Sequence, residues 1–245
     1  MLSSEFPSHD SSVGDELELT VDKDSRDQYV FAKLVSDYFD SKSVNLGVSG
    51  SSVDSLPWEF SKISNQIQPG DTAFFCLTAP HRTTIINDNK LPAQIVPGPN
   101  YSQVVHPHAK EWFKFFDTES HRCYSYGRTV SLLWLWCNYL KVECFFVNLF
   151  TTPTEKLLDI VPNRCWLLPT NECLSKFIMP LNGNYEGIVI SDDTHFLSNE
   201  QWQMQKEYLE KYVKPGYCHP NIQGHRVIAD NIIDILKNIR GNNVD

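Results

Sequence analysis

No stretch of the sequence approaches the roughly 20 apolar residues needed to span a bilayer. The longest apolar run, Val130 to Tyr139, is interrupted by Ser131 and Asn138 and reads as a buried helix, so no membrane partner is expected. A Lys/Arg-rich run is also missing. With 21 basic against 30 acidic residues and a formal charge of -9, the chain has little to replace phosphate counterions, and nucleic acid is not an expected partner. Met1 to Asp10 contain no basic segment followed by an apolar core, so a secretory signal is not read and a cytoplasmic location is expected. The seven cysteines, at 76, 123, 137, 144, 165, 173 and 218, form neither a CxxC pair nor a zinc-like cluster. Buried, reduced thiols follow, as for Cys76 within Phe74-Phe75-Cys76-Leu77, where a free thiol behaves as a small hydrophobe. No metal or organic cofactor is implied.

What is present fits one α/β domain over residues 1–245. Hydrophobic content of 41% and charged content of 21% are ordinary for a globular chain, and no linker divides it. Leu2 to Phe6 reads as a short strand and Arg26 to Phe39 as a helix, with Ser25 and Gln28 in capping-box spacing and Phe31, Leu34, Val35 and Tyr38 on one face. Ser43-Val44-Asn45-Leu46 reads as a buried strand, followed by the loop Gly47 to Ser52 and a helix carrying Leu56, Phe60, Ile63 and Ile67. A turn at Pro69-Gly70-Asp71 precedes a strand over Thr72 to Leu77. Ser120 to Lys141 reads as one long helix and Glu143 to Leu149 as a strand, with loops and short helices over 80–118 and 151–185. Gly187 to Ile190, Glu200 to Tyr212 and a helix from about Asn221 complete the pattern. Strands alternating with helices imply a parallel sheet covered on both faces, here a three-layer α/β/α sandwich.

In such sheets ligands bind beyond the carboxyl ends of the strands. Four segments are candidates to meet there: Ser8 to Gly14, Gly47 to Ser52, Thr78 to Arg82, and the loop holding His219. The last continues as Cys218-His219-Pro220-Asn221-Ile222-Gln223-Gly224-His225, with an imidazole just ahead of an amphipathic helix, a suitable station for a general base. His225 reads as a helix-surface residue.

The string His-Pro-Asn-x-x-Gly-His resembles the final block of the SGNH (GDSL-like) hydrolases, and Asn45-Leu46-Gly47-Val48-Ser49-Gly50-Ser51-Ser52 resembles their second block. Asp10-Ser11 is similar to the first block, with His9 at the usual glycine position and Gly14 following. Leu77-Thr78-Ala79-Pro80-His81-Arg82 stands where the family carries Gly-x-Asn-Asp, and its Thr-x-Pro-x-Arg string is similar to that of some phage-encoded members. The family's Asp three residues before the His is here Gly216.

The resemblance implies a serine ester hydrolase. Ser11 is the expected nucleophile, with Ser8 the alternative and Ser12 third. His219 is the base, Gly50 and Thr78 supply oxyanion donors, and Arg82 binds substrate or makes a structural ion pair. An acylated carbohydrate or other small acyl ester is the implied substrate, and a virion association would follow if the chain is phage-encoded. Two alternatives stand beside this: an inactive binding or structural module, which the missing Asn and Asp favour, and an O-acyltransferase. Asp192-Asp193-Thr194-His195 and His106-Pro107-His108 read as loop residues, and Trp134 and Trp136 as core or helix-interface residues.

Overall fold

Two strings with consecutive phenylalanines, Phe74-Phe75 and Phe145-Phe146, lie in the paired strands of a small sheet. In the computed structural model, which describes residues 30–47, 52–78, 83–86, 92–95, 118–149, 161–170, 172–178, 211–212 and 220–241, β1 (Thr72–Leu77) and β4 (Glu143–Asn148) run parallel. Their register pairs Thr72 with Glu143 and Leu77 with Asn148. Facing rings stack across the pair: Phe74 on Phe145 at 5.5 Å and Phe75 on Phe146 at 5.2 Å between centroids. The same alternation sends successive residues into different cores.

One face meets α1 (Phe31–Tyr38) and α4 (Ile222–Gly241). There Phe145 and Val147 pack with Val35, Ile228, Ala229, Ile232 and Leu236. The other face meets α3 (Glu119–Leu140) and α2 (Leu56–Ser61). Phe75, Leu77, Cys144 and Phe146 pack there with Tyr126, Val130, Leu133, Cys137 and Phe60. Each of the Val, Leu, Ile and Phe side chains among these contributes roughly 1.5–3 kcal/mol when fully buried. The molecule is therefore a mixed helix and strand structure with a small parallel sheet, compatible with an α/β class.

The connection from β1 to β4 passes through α3. Thr118 opens that helix by accepting from the His121 amide at 3.2 Å, and Lys141 ends it in the left-handed region at φ 58°. Ahead of β1, Gly70 takes φ 94° and donates its amide to the Lys141 carbonyl at 3.0 Å. That tie sets the two strand starts side by side. Parallel bridges from Phe146 to Trp166 and from Asn148 to Cys173 lay the following segment along β4.

Some expectations need correction. Ser43 to Leu46 forms no strand, and Val44 is exposed. Composition alone supplies no partner, and Asn45 turns its side-chain oxygen back to the Gly47 amide at 2.9 Å. The helix after Ser52 is a 3-10 turn, Val53–Ser55, followed by a helix that stops at Ser61 rather than reaching Ile67. A hairpin of β2 (Thr83–Ile86) and β3 (Pro92–Ile95) occupies the region read as loop. Its β-branched run and the Asn-Asp-Asn between the strands are ordinary hairpin signals. Of the remaining expected elements, Leu2 to Phe6, the capping box at Ser25 and Gln28, and Gly187 to Ile190 lie outside the described residues, as does all of Glu200 to Tyr212 except Lys211 and Tyr212, which are helical.

Candidate functional site at the carboxyl edge

The two parallel strands end together, and polar residues gather where they do. The Leu149 amide donates to the Leu77 carbonyl at 2.8 Å, and Thr78, the next residue of the first chain segment, is buried. Asn148 is buried as well, with its polar atoms matched. Its side-chain oxygen accepts from the Tyr126 hydroxyl, and its amide group donates to the carbonyls of Thr170 at 3.0 Å and Glu172 at 3.4 Å. Burial pushes the Tyr126 phenol well above its ordinary pKa, which keeps it a neutral donor. This pair ties α3 to the end of β4 and to the chain that follows.

The start of α4 is built as a corner. Asn221 accepts from the Gly224 amide at 2.9 Å, the N-cap bond that short polar side chains provide. Its own amide donates to the Tyr212 carbonyl at 2.9 Å, and its side-chain nitrogen to the Lys211 carbonyl at 3.0 Å. Gly224 faces that same Tyr212 carbonyl so closely that a Cβ would overlap its oxygen. His225 accepts from the Phe31 amide at 3.4 Å through Nδ1 and lies against the Phe31 ring. It therefore serves the first turn of α1, which has no side-chain cap of its own. His225 is a packing and capping residue rather than a helix-surface one.

The direction of α4 follows from its far end. Arg240 donates to the Glu143 carboxylate at 2.8 Å and to the Thr72 hydroxyl at 3.3 Å, so the C-terminal turn sits at the amino edge of both strands. A 20-residue helix is about 30 Å long, and a six-residue strand is about 20 Å long. Running against the strands, α4 directs its Asn221 end toward their carboxyl edge, the side on which Thr78 lies.

Of the expected site residues, Thr78 is at that edge. Ser11, Gly50, Arg82 and His219 lie outside the described residues, as do Ser8, Ser12, Gly216, Asp192 to His195, His106 and His108. What the sequence reading missed is the structural work of Tyr126, Asn148, Asn221 and Gly224. Only Asn221 announced itself, as a cap residue before an apolar helical stripe.

Trp134 and Trp136 pack partly buried against the second core, as expected. The six described cysteines are free. Burial pushes the Cys76 thiol up to about 12. Cys144 is raised by a hydrogen bond with Cys137 and by burial, and burial takes Cys165 up to about 11. Among the described residues no cluster of His, Cys, Asp and Glu is arranged to hold a metal ion, and no helix is long and apolar enough to cross a membrane. Comparison of the chain with protein-family models, with curated proteins and with solved structures finds no match to any of them.

Proposed function

We propose that the chain is a serine ester hydrolase of the SGNH type, a single three-layer α/β/α domain that removes acyl groups from a small-molecule or carbohydrate ester. In this reading the Ser11 hydroxyl attacks the acyl carbonyl while His219 takes its proton. The Ser11 and Gly50 amides, with Thr78, hold the tetrahedral oxyanion. His219 returns the proton to the leaving alcohol, and water then cleaves the acyl-enzyme by the same route. Arg82 contacts the substrate.

The observation that carries this reading is the shared orientation of two distant segments. Thr78 closes β1 at the carboxyl edge, and α4 runs against the strands so that the Asn221 end, two residues from His219, is turned toward the same edge. Open parallel sheets bind ligands there.

A fluorophosphonate probe tests it, because the base and oxyanion donors that drive acyl attack also drive phosphonylation. Labelling should map to Ser11 and vanish in His219→Ala. A label on Ser8 would move the nucleophile and keep the chemistry. Absence of labelling, together with no hydrolysis of short acyl esters or acetylated sugars above that of Ser11→Ala and Ser8→Ala, would remove the hydrolase reading.

A second reading, a non-catalytic module on the same fold, draws on Gly216 at the position of the family's acid and on the missing Asn after β1. Asn221, Gly224 and His225 also have structural duties that need no catalysis. An unreactive protein that keeps its fold would support it.

A further inference from the structure

A cleft of about 430 Å³ opens between α2 and α3, and its lining mixes the apolar Trp58, Leu132 and Trp136 with the polar Asp54, Ser61 and Arg128. We propose that it is a carbohydrate-binding groove, in which the exposed Trp58 indole takes the flat C–H face of a pyranose ring, the partly buried Trp136 adds apolar wall, and Asp54 and Arg128 take the sugar's hydroxyls. The proposal concerns binding and stands apart from the hydrolase reading.

The cleft is shallow and largely open to solvent, a shape that suits an extended ligand lying across it, and its walls are oriented before any ligand arrives. Trp136 is held edge-on by Phe60, at 5.2 Å between centroids and 85° between planes. Trp58 sits on a short helix with Pro57 in its first turn, and Ser61 closes that turn by donating to the Trp58 carbonyl at 2.7 Å. It leaves half its surface, 50%, open, although an indole is among the costliest side chains to expose. The Ser52 hydroxyl donates to the Asp54 carboxylate, and the Arg128 guanidinium lies over the Tyr124 ring at 5.7 Å. Both charged groups are thus steadied.

The mixture of walls selects the ligand. A wholly apolar ligand would strip water from a carboxylate and a guanidinium without replacing their hydrogen bonds. Nucleic acid would meet Asp54 beside Arg128 on a chain of net charge -9, with too few cations to neutralise its phosphates. A sugar offers an apolar ring face and a rim of hydroxyls that both donate and accept. It can serve the Trp58 indole and both charges at once.

The test is titration of the full chain, followed by indole fluorescence, with hexasaccharides of β-linked glucose, of N-acetylglucosamine and of galacturonate. At least one should produce a saturable change with a Kd of about millimolar or tighter. Trp58→Ala and Arg128→Ala should each weaken it roughly tenfold, as truncation of a central contact does, while Tyr139→Ala, outside the cleft, should leave it unchanged. Both substituted residues are exposed, and thermal unfolding checks each variant. If Trp58→Ala does not fold, Arg128→Ala carries the comparison alone. No saturable response up to about 10 mM, wild-type affinity in the folded variants, or a preference for free indole over every saccharide would overturn the proposal. The outcome is independent of whether Ser11 takes the fluorophosphonate label.

Discussion

Replacing Gly224 with alanine sets two effects of opposite sign against each other. In an exposed helix the change ordinarily stabilises, by up to about 1 kcal/mol, because alanine has the higher helix propensity. Here the new Cβ would overlap the Tyr212 carbonyl oxygen and stand 3.1 Å from the Pro220 Cβ. Neither neighbour can retreat easily, since the Tyr212 carbonyl is held by the Asn221 amide at 2.9 Å. Forcing a methyl into such a contact costs about 1–3 kcal/mol. If the helix shifts instead, the Asn221 hydrogen bond goes, at about 0.5–1.5 kcal/mol. The expected sum is a net loss of about 1–2 kcal/mol, or several degrees in Tm for a chain of this size. Urea unfolding followed by far-ultraviolet circular dichroism measures it directly. A Gly224→Ala protein as stable as wild type, or more so, would refute the close approach of the Tyr212 carbonyl to α4.

Tyr126→Phe should lower stability by about 1–3 kcal/mol, because it leaves the buried Asn148 oxygen without its phenol donor; the urea midpoint reports it, and an unchanged midpoint would remove the latch. The buried thiols of Cys144 and Cys165 should react with Ellman's reagent at pH 8 much more slowly in the native protein than in urea, since burial and mutual hydrogen bonding keep them protonated. These shifts, with that of Cys76, make stability fall as pH rises from about 9, the ordinary thiol value, toward about 12, because the unfolded chain releases those protons first. Fast native labelling, or a flat alkaline stability profile in the wild type, would contradict this.

The elements legible in the sequence were those whose pattern names both the element and its environment. Thr72 to Leu77 and Glu143 to Asn148 carry compact apolar runs, the helix beginning near Ile222 an apolar stripe of helical period, and the helix beginning near Glu119 a long aromatic-rich run. Ser43 to Leu46 has a strand's composition, but composition does not supply a partner, and Val44 and Asn45 stay exposed. Asn148 and Tyr126 could not be matched by reading, since each is an ordinary polar residue until the crossover through α3 brings them together. The last motif was legible as a motif, yet Gly224 and His225 owe their places to Tyr212 and Phe31, from segments the motif does not contain.

The parallel pairing also sets the order of events during synthesis. Thr72 and Glu143, whose side chains are hydrogen-bonded at the start of the two strands, are 71 residues apart, so β1 leaves the ribosome well before its partner exists. At translation rates of about 5–20 residues per second, the interval is roughly 4–14 s. Throughout it Phe74 and Phe75 lack Phe145 and Phe146 to stack on and the backbone ladder that β4 supplies. An unpaired apolar strand is a template for the wrong neighbour. The nascent chain is therefore most exposed to misassembly before Glu143 emerges, and slowing translation across α3 would lengthen that exposure while leaving the finished fold unchanged.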